Sequence, residues 1–289
     1  MAIVEYSKFA QILNETIFEK SKADLLEKIA NSPNRYVGLF RPTKPKAKIL
    51  QNLLQSHEIR FGDAFELVIE EYLKIKSCSF LPKRYTDKYG EVLNIDQCFS
   101  KDGKIYFIEQ KVRDDHDSTK KRGQILNFEK KLNILLSKYS ENELVGIFYF
   151  IDPELIKNKN YYKAELDKMS IDYNVETHLF YGRSLFDFLG FSDAWDEILL
   201  HLTNWKKAIP DLPEINFDID AKHTFEEIKD LNPMIFRKLF DNETIFNDII
   251  LTLFPQKKTL RLLNDYFSNK TETIYKSLCE KIKKKIAEE

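Results

Sequence analysis

Residues 91–112 read Glu91-Val92-Leu93-Asn94-Ile95-Asp96-Gln97-Cys98-Phe99-Ser100-Lys101-Asp102-Gly103-Lys104-Ile105-Tyr106-Phe107-Ile108-Glu109-Gln110-Lys111-Val112. Val92, Asn94, Asp96 and Cys98 alternate with Leu93, Ile95, Gln97 and Phe99, and 104–112 is a second, mostly apolar run, so both halves have strand periodicity. Between them Asp102-Gly103 is a strong signal for a two-residue hairpin. With those two residues at its centre, Lys101 opposes Lys104 and, counted back along the ladder, Asp96 opposes Glu109. Directly opposed side chains share a face with Cβ atoms roughly 4.5–5.5 Å apart. Lys111, two residues beyond Glu109, projects from that same face.

The arrangement brings two acids and an amine together. Two carboxylates that close repel, and a divalent cation resolves the conflict. Ligation by carboxylates, water and a phosphate oxygen suits Mg²⁺, which keeps several waters and needs few protein ligands. Asp96 and Glu109 are therefore the expected metal ligands. Lys111 is placed to orient or help deprotonate an attacking water and to stabilise charge on phosphorus. A further carboxylate comes from the helix expected at 62–75, where Glu66 and Glu70 lie one turn apart; Glu66 is the first choice, and Asp63 is expected to cap that helix. The alternative is a solvated hairpin face. Against it stand Ile105, Phe107 and Ile108, which make the strand apolar where Glu109 and Lys111 interrupt it, and charged groups seldom stay in buried strands without partners.

Beyond Lys111 the chain turns polar, with seven basic residues against four acids in 111–131. Arg113, Lys120, Lys121 and Arg122 are suited to phosphates, Ser118 and Thr119 to phosphate hydrogen bonds, and Asp114, Asp115 and Gln124 to base edges. His116 reads as a loop or DNA-contact histidine. An amphipathic helix follows at 125–139, then a continuous apolar strand at 144–151, a charged helix at 161–170, a strand at 175–181 and a helix from 184. The order predicts an α/β fold with one mixed central sheet flanked by helices. On the amino-terminal side, 5–32 reads as one helix and 46–57 as another ending before Arg60; on the carboxy-terminal side, 209–219 reads as a connector and 225–287 as helical. The expected divisions are a helical region 1–59, a core 60–204 and a helical region 205–289.

The 289 residues carry 45 Lys and Arg against 46 Asp and Glu, and 22 Phe and 14 Tyr supply ample core. That excludes a chain disordered throughout. Three cysteines without metal-knuckle spacing favour a reducing compartment, and no apolar run is long enough for a membrane span, so a cytoplasmic protein is expected.

Asp96, then Glu109-Gln110-Lys111 after a Gly-containing turn, with an acidic helix before and a helix and strand after, resembles the PD-(D/E)XK nuclease superfamily, especially type II restriction endonucleases. The resemblance covers roughly residues 60–190, and Ile95 stands where the motif's name has Pro. It implies a restriction-endonuclease-like mixed sheet with helical additions at both ends, and Mg²⁺-dependent, site-specific hydrolysis of double-stranded DNA to 5′-phosphate ends. It also implies a homodimer on short palindromic sites and, in a restriction-modification system, a cognate DNA methyltransferase. Asp96 and Glu109 would be metal ligands, Lys111 the catalytic lysine and Glu66 the helix glutamate. Other readings are a repair or junction-resolving nuclease and a noncatalytic DNA-binding protein.

Overall fold

A computed structural model describes residues 2–19, 21–87 and 90–287. Its elements begin with helices α1 (Tyr6–Phe18), α2 (Ser21–Asn31), α3 (Asn34–Val37) and α4 (Pro45–Ile75), followed by strands β1 (Ser79–Phe80), β2 (Arg84–Thr86), β3 (Val92–Asn94), β4 (Gln97–Lys101) and β5 (Lys104–Lys111). Then come α5 (Ser118–Leu136), β6 (Leu144–Phe150), α6 (Lys159–Tyr173), β7 (Glu176–Tyr181), α7 (Arg183–Leu189) and α8 (Asp193–Ala208). The remainder is helical: α9 (Ala221–Ile228), α10 (Pro233–Asp241), α11 (Glu243–Ile245), a π-helical turn (Phe246–Ile250), α12 (Leu251–Leu253), α13 (Lys258–Ser268) and α14 (Thr273–Ala287).

The central sheet has the order β1-β4-β5-β6-β7, antiparallel from β1 to β5 and parallel from β5 to β7. This is the expected α/β architecture. Lys101 pairs with Lys104 and Gln97 with Ile108, the register read from the sequence. The turn has positive φ at both central residues, 50° for Asp102 and 77° for Gly103, as a two-residue hairpin with right-twisted strands requires. The run at 144–151 is β6, buried along its whole length between β5 and β7. One face of the sheet packs Cys98, Phe107, Phe148 and Phe150 against Phe128 and Leu132 of α5 and Tyr162 and Leu166 of α6. On the opposite face Tyr106 packs against Phe188, and Tyr149 against Phe186, which in turn meets Trp195 of α8.

Four local expectations are corrected. The helix expected over 5–32 is two, because the freed N–H groups of Lys22 and Ala23 are taken by Glu227, 2.8 and 3.3 Å away, a cap supplied from distant sequence. The helices expected at 46–57 and 62–75 are one 31-residue helix, α4. Arg60, expected to lie beyond the end of the first of these helices, is inside α4, where it donates to the carbonyls of Ile17 and Glu19 and pairs with Asp24, and Asp63 lies within the helix rather than capping it. The first half of the hairpin is interrupted at Ile95-Asp96, so β3 pairs with β2 in a separate two-stranded sheet. The helix expected from residue 125 begins at Ser118, where Asp117 accepts from Lys120 N at 2.8 Å.

The chain forms two compact units, Met1–Leu13 with Phe61–Ala208, and Asn14–Arg60 with Ile209–Glu289. In the first, Glu197 of α8 accepts from the backbone N of Ile3 and Val4 and from the Tyr72 hydroxyl, at 2.7, 2.8 and 2.9 Å, tying the first residues to the unit that holds the sheet. In the second, Leu25, Leu26 and Ile29 of α2 share an apolar core with Phe236 and Leu239 of α10, Leu263 and Phe267 of α13 and Leu278 of α14.

Candidate active site

Asp96 follows the interruption between β3 and β4, and its carboxylate, not a backbone carbonyl, receives the Gln110 N–H at 2.6 Å. The bend thus aims Asp96 at the end of β5 that carries Glu109 and Lys111. Lys111 Nζ lies 2.7 Å from Glu109 Oε1, 2.8 Å from the Gln110 carbonyl oxygen and 3.6 Å from Asp96 Oδ2. A fourth group comes from α5: Lys131 Nζ pairs with Glu109 Oε2 and stands 3.6 Å from Asp96 Oδ1. Asn127 Nδ2 approaches Glu109 Oε1 at 3.5 Å. Helix α4 is hooked to the strand by Gln97, whose amide donates to the Glu66 carbonyl at 2.6 Å.

These groups set one another's charge. Burial would raise Glu109, but Lys111 and Lys131 outweigh it and hold the carboxyl below its ordinary value. Asp96 is pushed up, by burial first and by the charge of Glu109 second. Burial would lower Lys111, yet Glu109 and Asp96 raise it, so it is an ammonium. Glu66 is pushed up to about 7 by burial, then by Asp96 and Asp63, which puts its carboxyl within electrostatic reach of the cluster. Its neighbour Glu70 is instead tied to Lys83 and Lys74 at 2.8 and 2.9 Å. Among the described residues no three His, Cys, Asp or Glu side chains converge tightly enough to form a metal-binding set. The oxygens around Lys111 Nζ come from two carboxylates and a backbone carbonyl, the hard donors that Mg²⁺ prefers, and a cationic group already stands among them.

The family described as "Type II restriction endonuclease, HinfI" matches residues 5–91 and 73–206, which together run through most of the chain and span both the sheet and the cluster. The chain belongs to the HinfI family of type II restriction endonucleases. No curated protein matches it.

In this HinfI-family chain the polar run after Lys111 divides by burial. Asp115, Ser118, Thr119, Lys120 and Arg122 are exposed, and Arg113 and Lys121 are half-buried. Lys121 lies over the Tyr161 ring, 4.5 Å from its centroid, and donates to Asn158. Two residues expected at the DNA are turned inward. Asp114 is fully buried, with its oxygens taken by Asn158 Nδ2, Asn158 N and the Tyr181 hydroxyl at 2.8, 2.8 and 2.9 Å, and it fastens the loop to the segment before α6. Gln124 is buried and accepts from the Tyr162 hydroxyl at 2.5 Å. His116 is half-buried in the same loop, and burial lowers its pKa.

Lys131 is the residue that reading the sequence missed, having counted only as one more cation in the run. Its signal was positional. It falls three residues after Phe128 and four before Leu135, on the buried stripe of α5, where a lysine requires an anionic partner.

Proposed function

We propose that this chain is a Mg²⁺-dependent, site-specific endonuclease that hydrolyses double-stranded DNA to 5′-phosphate and 3′-hydroxyl ends within a restriction-modification system. The observation that carries the reading is the cluster itself: Asp96, Glu109 and Lys111 converge from a bend and a strand end, with Lys111 Nζ 2.7 Å from Glu109. A buried cluster of this composition is costly for stability alone, since buried ion pairs seldom outperform apolar packing.

Asp96, Glu109 and the Gln110 carbonyl are the groups that would hold the ion, with Glu66 beside them. When bound, Mg²⁺ supplies positive charge against the phosphate and lowers the pKa of water. Binding would release Lys111 from those oxygens, leaving its Nζ to hydrogen-bond the attacking water and a non-bridging phosphate oxygen. Water would attack phosphorus in line, giving up a proton to solvent as the P–O3′ bond breaks, and the departing 3′ oxygen would take a proton from solvent. Lys131, still paired with Glu109, keeps that carboxylate ionised and oriented.

Lys120, Lys121 and Arg122 support phosphate binding from the first turn of α5. They lie near the positive end of the α5 dipole, where the Asp117 cap offsets part of their charge and a phosphate would offset more. With Arg113, Asp115, Ser118 and Thr119 they form the proposed DNA-contacting set; Asp114 and Gln124 drop out because their side chains are engaged inside the fold. One site cuts one strand, so a double-strand break calls for two copies, and a homodimer on a palindromic site meets that need. Its own genome would then need protection by a cognate methyltransferase. No helix among the described residues is long and apolar enough to cross a membrane, consistent with access to cytoplasmic DNA.

The test is a plasmid digest by the purified chain. Discrete bands with Mg²⁺, their loss with EDTA, and loss of cleavage with retained DNA binding in Lys111→Ala are expected. Persistent cleavage by Lys111→Ala overturns the assignment, and smearing or structure-dependent nicking favours a repair-type nuclease.

A further inference from the structure

The turn between α3 and α4 presents two large apolar side chains to solvent. Arg41 N donates to the Gly38 carbonyl at 3.1 Å, closing a β-turn with Leu39 and Phe40 at its centre. Those two are 91% and 98% exposed, more than any other large apolar residue among the described residues. The turn is built rather than slack. Tyr36 is buried at its root, and Pro42 and Pro45 restrict the chain as it enters α4. Gly38 is needed there because a Cβ would stand 2.4 Å from the Asn34 carbonyl oxygen.

Apolar residues exposed singly are ordinary; an adjacent pair this exposed on a pinned turn needs an occupant. The surrounding charge indicates which. Residues 29–57 contain no Asp or Glu and five cations, Arg35, Arg41, Lys44, Lys46 and Lys48, in a chain with 46 acids. None of the five forms an ion pair among the described residues. A second copy meeting this turn through the same face would oppose like charges. A polyanion would be attracted, and an apolar tip among cations is the composition of a wedge that enters between base steps.

We propose that Leu39 and Phe40 form a wedge that inserts between stacked base pairs of duplex DNA, with Arg41, Lys44 and Lys46 on the flanking phosphates. This rests on the reading that the chain acts on double-stranded DNA, and not on the chemistry at Lys111. The cations hold the backbone while the tip unstacks a step. Pyrimidine–purine steps, which unstack most readily, are the preferred sites.

The experiment uses the full chain without Mg²⁺, titrated against fluorescein-labelled duplexes of mixed sequence and against duplexes carrying 2-aminopurine. Phe40→Ala is expected to weaken binding about 10-fold and to abolish the 2-aminopurine change, with the dependence of affinity on salt unaltered. Arg41→Ala should reduce the salt slope by about one unit. Phe40→Trp should retain affinity, with its indole emission, distinguishable from that of buried Trp195 and Trp205, quenched by stacking. Wild-type affinity and an unchanged 2-aminopurine signal in Phe40→Ala overturn the wedge and leave the nuclease reading intact. So does a Phe40→Ala chain whose only change, by sedimentation, is loss of self-association, which would make the turn a contact between copies. Phe40-dependent unstacking by a chain that cleaves no DNA under any metal condition upholds the wedge and refutes the nuclease.

Discussion

Two regions bury carboxylates, in opposite ways. In the all-helical unit, Asp218 is fully buried and accepts from Gln256 N, Thr259 N and Thr259 Oγ1 at 2.9, 2.8 and 2.8 Å, all neutral donors. At the end of β5, Glu109 is as deeply buried but faces Asp96 and is held by two lysines. The first carboxylate is satisfied by the backbone it organises, and nothing about it awaits a ligand. The second is held chiefly by the Lys111 and Lys131 ammonium groups, with the Asn127 amide at 3.5 Å, and on the proposed reading a metal and a phosphate would displace Lys111. Asp114 shows that the distinction does not depend on which unit holds the residue: three neutral donors surround it, a few residues past Lys111.

The strongest way to break this contrast is to exchange the consequences. Lys111→Ala should reduce cleavage by about 10³-fold or more, with folding and DNA binding retained, as single-turnover rates and circular dichroism would register. Asp218→Ala should do the reverse, lowering unfolding free energy by about 2–4 kcal/mol in urea titrations with cleavage by the folded fraction unchanged. A folded Asp218→Ala protein that fails to cleave would erase the distinction.

Lys131 sharpens it. Lys131→Met keeps the packing of α5 but leaves Glu109 with one lysine, and cleavage is expected to fall about 10–100-fold, with Glu109 titrating higher and the acid limb of the pH–rate profile moving up. A profile that keeps its shape would reduce Lys131 to packing.

Glu66 gives a smaller, pH-dependent effect. Its carboxyl lies near 7 in the fold against an ordinary 4.5, so folding takes up a proton. Its contribution is intact below about pH 4.5 and is lost as pH rises through about 7. Without metal, Glu66→Gln should therefore melt about 2–4 °C above the native chain at pH 8 and level with it near pH 4.5. Equal melting at both values would show that neither burial nor the charge of Asp96 raises Glu66. The least effect is expected from Lys120→Ala, which should weaken binding uniformly across DNA sequences and lower the salt slope by about one unit.

Much of this was legible in the chain. The Asp-Gly turn dictated the register that sets Gln97 against Ile108, because two positive-φ positions in succession leave few other ways to reverse a strand. The continuous apolar run of β6 announced a strand buried on both faces. Less visible was the bend at Ile95-Asp96, since alternation runs straight through it; it exists because the Asp96 side chain takes the Gln110 N–H in place of the backbone. Gln124 and Asp114 looked like groups for DNA because polarity does not reveal burial when the partners, Tyr162, Asn158 and Tyr181, lie dozens of residues away.

Short-range stereochemistry and side-chain periodicity, both written into neighbouring residues, were enough to specify the hairpin register, the buried strand β6 and the common face of Glu109 and Lys111. Folding in three dimensions alone brought Lys131 to Glu109, carried α4 unbroken through Gly62 and divided the polar run into buried and exposed members. Those outcomes depend on partners far away in the chain, and a local pattern holds no record of which distant donor or acceptor will arrive.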